Sequence, residues 1–179
     1  TRGGERRLPV AVQADAPFAS VAPGAVHSCG ITRAGAVLCW GRNDDGQLGT
    51  GDRTARERAT LVQLPGSVRP RRLAAGPSHT CVLGEDGSVW CWGANASGQL
   101  GVAGRAARLR PVRVPLGASA TAVSAGATHT CALTTNGAPL CWGGNAEGQL
   151  GDSTRVSGER PRAVRIGAPL AAGAIPPAR

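Results

Sequence analysis

The 179-residue sequence contains no methionine, no tyrosine and no lysine, and its aromatic residues are one phenylalanine and four tryptophans. So little aromatic bulk argues against one large hydrophobic core. No apolar run is long enough to span a bilayer, and a signal peptide of the usual three-part form is missing, so we expect no membrane span. Because the sequence starts at Thr1, we expect the start of the gene product to lie elsewhere.

All 20 basic residues are arginines, and against 11 acidic residues they give a net charge of +9. A basic surface has affinity for acidic partners. The alternative is that the excess of arginine reflects only a GC-rich genome, in which case the arginines form an ordinary solvated surface. The arginines crowd the segments between the motifs described below, where we expect them to form a stripe along one side or rim. Aromatic residues for base stacking are missing there, which argues against nucleic acid. The candidate interaction residues are Arg58, Arg108, Arg110, Arg160 and Arg162.

One pattern occurs three times in the chain. It combines a His-Ser/Thr-Cys step, a Cys-Trp-Gly step and a Gly-Gln-Leu-Gly step, and its histidines are spaced 52 and 50 residues apart. Such a period is typical of propellers and solenoids. The shared residues, to which we assign structural roles, are His27, His79, His129, Trp40, Trp92, Trp142, Gly46, Leu48, Gly49, Gly98, Leu100, Gly101, Gly148, Leu150 and Gly151.

Each unit is predicted to contain a β-hairpin. In the second unit, residues 79–83 and 88–93 read as strands joined at Asp86-Gly87, and Asn136-Gly137 is the equivalent turn; both residues of such pairs tolerate a positive φ. A turn centred on Asp86 places positions 81 and 91 opposite each other, close enough for a disulfide. The predicted disulfides are Cys29 to Cys39, Cys81 to Cys91 and Cys131 to Cys141.

Buried thiols and a zinc site are the two alternatives to these disulfides. Buried thiols in a cytosolic protein remain an alternative, whereas a zinc site is disfavoured because the spacing lacks a short C-x-x-C step. We therefore expect no metal, and we expect the histidines to cap or pack inside their own repeats. The Gly-Gln-Leu-Gly loops lack the lysine of a phosphate-binding loop, so we expect no cofactor.

Short apolar strands are predicted before each hairpin and once more after the third, at residues 10–12, 61–64, 112–114 and 164–166. The resulting division is an N-terminal flank at 1–7, repeats at 8–59, 60–109 and 110–160, and an incomplete fourth repeat with a tail at 161–179. The predicted fold class is all-β, with about three propeller blades. An open stack of three leaves two faces uncovered.

The combined motifs, including Trp-Gly-x-Asn, resemble the regulator of chromosome condensation repeat from about Leu8 to Ile166. The resemblance implies four-stranded blades, seven of which normally close a ring. The paired cysteines resemble those of bacterial, extracellular members. Three hairpins cannot close such a ring, so we expect a piece of a longer propeller or a partial propeller completed by homo-oligomerisation.

The resemblance implies a non-catalytic module that binds a protein partner, since secreted members of the family include protein inhibitors of enzymes. The paired cysteines favour an extracellular or cell-surface location and an acidic partner suits the charge. A guanine-nucleotide exchange factor or chromatin-binding regulator, as in the founding member, is the first alternative. A secreted hydrolase is the second, and we find no catalytic residues that would support it.

Overall fold

The computed structural model describes residues 11–163, which form twelve β-strands and no helix. The strands build three antiparallel sheets of four strands each. The first sheet contains β1 (Phe18–Pro23), β2 (His27–Thr32), β3 (Val37–Gly41) and β4 (Arg56–Val62). The second contains β5 (Pro70–Ala75), β6 (His79–Gly84), β7 (Val89–Gly93) and β8 (Arg108–Arg113). The third contains β9 (Ala120–Ala125), β10 (His129–Thr134), β11 (Pro139–Gly143) and β12 (Gly158–Ala163).

The central hairpin of every sheet has the predicted register. Cys81 lies opposite Cys91, and the two other cysteine pairs are aligned in the same way. All three pairs form disulfides, each with a Cα–Cα distance of 4.1 Å. Within the turns, only the glycine adopts a positive φ, 77° at Gly87 and 81° at Gly137. Asp86 has no positive φ, and it caps the turn by accepting the Ser88 N–H at 3.0 Å.

The outer strands differ from the sequence prediction. The apolar segment that begins at Leu61 was expected to open the second unit, but Leu61 pairs with Leu38 of β3 and so closes the first sheet. Val112 pairs with Cys91 of the preceding hairpin in the same way. The strand that precedes each hairpin within its sheet is instead β1, β5 or β9, and the sequence analysis did not predict these strands. Position 10 and the segment 164–166 lie outside the described residues, and 11–12 form no strand.

The three sheets stand side by side, with their first strands together. β5 contacts both β1 and β9, whereas β4, β8 and β12 occupy the opposite edges of their sheets. An apolar cluster that contains Leu48 and Trp92 fills the space between the first two sheets, and one with Leu100 and Trp142 fills the next. Sheets that radiate from their first strands in this way form a partial β-propeller.

Candidate functional site

Neighbouring sheets are joined by a small set of hydrogen bonds that occurs twice, which we call the inter-sheet joint. The carbonyl oxygen of Gln47 accepts hydrogen bonds from Thr80 Oγ1 at 2.9 Å and from Trp92 Nε1 at 2.8 Å. In the next joint, the carbonyl of Gln99 accepts from Thr130 Oγ1 and Trp142 Nε1 at 2.8 and 2.9 Å. One backbone carbonyl in each of the first two Gly-Gln-Leu-Gly loops thus accepts from both donors of the following sheet.

A histidine completes each joint. His27 Nε2 lies 2.8 Å from Thr80 Oγ1, and His79 Nε2 lies 2.9 Å from Thr130 Oγ1. Because each threonine hydroxyl has only one proton and donates it to the glutamine carbonyl, it must accept from the histidine. The histidines are therefore neutral Nε2–H tautomers. Their Nδ1 atoms are buried and, among the described residues, have no hydrogen-bond partner.

Burial keeps these two rings uncharged. It lowers the pKa of His27 to about 4. Burial is also the main cause that lowers the pKa of His79 to about 4, with smaller contributions from His27 and His129. The His27 ring lies beside Gly24 and the His79 ring beside Gly76, each within its own sheet, but the hydrogen bonds of both rings cross to the next sheet, which the sequence analysis did not expect. The sequence did not indicate these inter-sheet hydrogen bonds, because the acceptor that they share is a backbone carbonyl, which any residue could supply.

The loop that supplies the carbonyl is shaped by the asparagine of Trp-Gly-x-Asn. Asn43 Oδ1 accepts the N–H of Leu48 at 2.9 Å, and its Nδ2 donates to the Thr54 carbonyl at 3.1 Å. Asn95 and Asn145 bind the equivalent leucine N–H groups at 3.0 and 2.9 Å. At Gly49, φ is +72° and a Cβ atom would lie 2.8 Å from Trp92 Nε1, so both the turn and the joint require glycine there.

Three of the arginines between the motifs stabilise these same loops. The guanidinium groups of Arg53, Arg105 and Arg155 each donate to the carbonyl nine residues earlier, at Asp44, Ala96 and Ala146. Their spacing is that of the repeat itself, 52 and 50 residues, but Arg58, Arg110 and Arg160 have the same spacing, so the sequence alone could not separate the two sets. These three arginines therefore contribute to the structure of the loops.

A second equivalent set, Arg58, Arg110 and Arg160, lies on the outer strands β4, β8 and β12; we call it the arginine row. The side chains of Arg58 and Arg110 are exposed, and neither has a hydrogen-bond or ion-pair partner within the described part of the chain. Arg108 is half-buried and donates to the Ala103 carbonyl at 3.3 Å. Arg162 lies opposite Cys141 on β12.

The arginines do not form one stripe, as the sequence analysis had expected. Arg71 and Arg72 lie on β5, the inner strand of the second sheet, whereas the arginine row follows the outer strands. Arg71 and Arg72 border a shallow depression of about 410 Å³ that Ser20 and Val123 also line. The basic residues are thus divided between the inner and outer edges of the sheets.

The described residues 11–163 contain no group of three or more His, Cys, Asp or Glu side chains placed to hold a metal ion. The same residues include no helix that is long and apolar enough to cross a bilayer. The larger cavities are open depressions; one of about 460 Å³ lies between the turn at Asp86 and the segment Arg113–Ser119. Asp86, whose pKa is lowered chiefly by its hydrogen bonds to Ser88, is the acidic residue of that depression.

Comparison with known families agrees with the repeated sheets. A family model of the regulator of chromosome condensation (RCC1) repeat matches residues 34–83 and 86–133, and a second model of the same repeat matches 18–47, 71–99 and 120–149. The chain therefore belongs to the RCC1 repeat family.

Several longer proteins share these repeats. The ultraviolet-B receptor UVR8 of Arabidopsis thaliana is 36% identical over 107 residues, which are 60% of this chain and 24% of the receptor. The probable E3 ubiquitin-protein ligase HERC3 of Homo sapiens is 41% identical over 85 residues, 48% of this chain and 8% of the ligase. The RCC2 homologue of Danio rerio is 44% identical over 79 residues, 44% of this chain and 16% of that protein. The chain thus spans less than a quarter of the length of each.

Solved structures show the same fold. Yeast RCC1 (Prp20), solved bound to Kap60, superposes with a TM-score of 0.78 at 23% identity, over 83% of this chain and 37% of that one. A second structure, of Prp20p from Saccharomyces cerevisiae, gives a TM-score of 0.77, also at 23% identity, and covers 83% of this chain and 38% of its own. The partial propeller of this chain therefore corresponds to part of a larger one.

Proposed function

We propose that this chain is a non-catalytic protein-interaction module that binds an acidic protein surface through the arginine row. The observation that carries the proposal is the placement of Arg58 and Arg110 at equivalent positions on the outer strands, where both are exposed. The Arg110 guanidinium packs against Gly51 of the preceding sheet, but neither arginine has a charged or hydrogen-bonding partner for its side chain within the described residues. A row of planar guanidinium groups is well suited to carboxylates.

The alternatives receive less support from the described residues. His27 and His79 are held in the joints as neutral hydrogen-bond donors, so they are poor candidates for acid–base catalysis. Trp92 and Trp142 are fully buried, which leaves them unable to stack on nucleic-acid bases. Protein partners occur among similar structures as well, since yeast RCC1 was solved bound to Kap60 and Prp20p binds Gsp1p and histones.

The experiment measures binding of the full chain to poly-L-glutamate by isothermal titration calorimetry. We expect Arg58→Glu with Arg110→Glu to weaken binding about tenfold, or about 1.4 kcal/mol, and binding to decrease as salt increases. The matched control is Arg33→Glu with Arg69→Glu, which changes the net charge equally on exposed residues beside the β2–β3 turn and before β5. An equal loss in both double variants would contradict the arginine row as the binding surface.

We also propose an extracellular or cell-surface location. Disulfides persist in oxidising compartments, and all six cysteines of the chain are paired. Alkylation of the protein in its native source, followed by mass spectrometry without reduction, tests this location. We expect no alkylated cysteine; six alkylated cysteines would overturn the location while leaving the binding proposal to its own test.

A further inference from the structure

The inner strand of the second sheet carries two arginines at a break in its pairing. Pro70 of β5 pairs with Gly84 and Arg72 pairs with Leu83, so Arg71 is an extra residue that forms a β-bulge. A bulge re-aims a side chain, and bulges are frequent at sheet edges and beside functional sites. Both arginines are exposed, and both border the depression of about 410 Å³ on the inner strands, which we call the inner depression.

The repeated fold does not require arginine at these two positions. The same bulge occurs in the other sheets, where the extra residue is Ala19 of β1 and Thr121 of β9. The next residue, equivalent to Arg72, is Ser20 or Ala122. The bulge therefore forms equally well around small, uncharged side chains. Among the three sheets, only the second places positive charge there.

The chain does not balance the charge of the inner depression. Within residues 11–163, neither Arg71 nor Arg72 has a hydrogen-bond or ion-pair partner for its side chain, and none of the described residues that line the depression is acidic. Two neighbouring positive charges repel each other, and an anion placed between them is attracted by both. The inner depression thus has the electrostatics of an anion site.

The inner depression is built by three consecutive sheets. Its lining consists of residues 20–22 of β1, residues 71–73 of β5 and Val123 of β9. The second sheet, which supplies both arginines, lies between the other two and contacts each of them, so the charged part of the depression does not lie at an end of the described chain. A volume of this size suits a small molecule rather than a folded domain.

We propose that the inner depression binds a small polyvalent oxyanion and that the guanidinium groups of Arg71 and Arg72 are its main ligands. A guanidinium presents planar N–H donors that match two oxygens of a phosphate or a carboxylate. Ser20 adds a hydroxyl on the neighbouring inner strand, which can donate to the same anion. The arginine row lies on the outer strands instead, so this site goes beyond the proposed function and is independent of it.

Isothermal titration calorimetry of the full chain with pyrophosphate at low ionic strength tests the site. We expect saturable one-to-one binding, and we expect Arg71→Gln with Arg72→Gln to weaken it about tenfold. The matched control is Arg33→Gln with Arg113→Gln, which removes the same charge from exposed positions outside the inner depression. The control should bind pyrophosphate nearly as well as the wild type does.

A parallel titration with citrate distinguishes the two sources of an oxyanion. Tighter binding of pyrophosphate would support the site and assign it to a phosphate-bearing ligand, and tighter binding of citrate would support it and assign it to a carboxylate-bearing one. No saturable binding of either anion would overturn the proposal. An equal loss of binding in both double variants would overturn it as well, because net charge alone would then explain the affinity.

Discussion

We expect the replacement of Thr80 by valine to weaken the joint between the first two sheets, because the Thr80 hydroxyl makes two of its hydrogen bonds. Thr80 is completely buried; it accepts from His27 Nε2 at 2.8 Å and donates to the Gln47 carbonyl at 2.9 Å. Valine has nearly the same shape but can do neither. The carbonyl keeps its bond from Trp92, whereas the His27 N–H is left buried without an acceptor.

The magnitude follows from those two bonds. The lost hydrogen bond to the carbonyl is worth about 1 kcal/mol, and a buried donor without a partner costs about 1–3 kcal/mol. The additional buried methyl group returns about 0.8 kcal/mol. We therefore expect Thr80→Val to lower the free energy of unfolding by about 1–3 kcal/mol.

Urea unfolding followed by circular dichroism at pH 7 measures this loss as a lower midpoint at an unchanged slope. The matched control is Thr121→Val. Thr121 is exposed, and its single hydrogen bond, to the Leu133 carbonyl, is 3.2 Å long, so we expect a change within about 0.5 kcal/mol. A loss in Thr80→Val no larger than that in the control would refute the assigned role of the joint.

The remaining predictions concern the histidines, the loops and the disulfides. Because the pKa values of His27 and His79 are lowered to about 4, the unfolded chain binds more protons below pH 6.5, so stability should fall from pH 6.5 towards pH 4. By pH 5 the loss should reach about 2 kcal/mol per histidine in urea titrations, and a flat profile between pH 7 and 5 would contradict it. Gly49→Ala should cost more than about 1 kcal/mol, whereas Gly66→Ala, which has open space around its Cβ position, should be neutral; equal midpoints would contradict the close approach to Trp92. Reduction of the three disulfides should lower the melting temperature, because each closes a hairpin and contributes about 2–3 kcal/mol; an unchanged melting temperature would argue against that contribution.

The hairpins could be predicted from the sequence because everything that defines them is local. The turn at Asp86-Gly87 and the cysteines at equal distances from it determine the register, and the disulfide follows from that register. The turns at the loop glycines, such as Gly49 with its φ of +72°, are local as well, whereas the close approach of Gly49 to Trp92 is not. Local sequence signals were sufficient where the interacting residues lie within about a dozen positions of one another.

The joints and the outer strands could not be predicted in this way. The partner of His27 is Thr80, 53 residues away, and the shared acceptor is the backbone of Gln47, which any residue could supply. The segment at Leu61 is apolar whichever hairpin it pairs with, so its composition does not say to which sheet it belongs. The two groups of arginines could be distinguished only in the structure, where Arg53 donates to the Asp44 carbonyl and Arg58 is exposed.

Hydrogen exchange of the indole N–H groups, followed by NMR, tests the joints most directly. Trp40, Trp92 and Trp142 occupy equivalent positions, but only the last two donate to a glutamine carbonyl of a preceding sheet. In the wild-type chain we predict that Trp92 and Trp142 exchange slowly and that Trp40 exchanges fast. Equal exchange of all three would contradict the account, because it would mean that the sheets are not joined through these carbonyls.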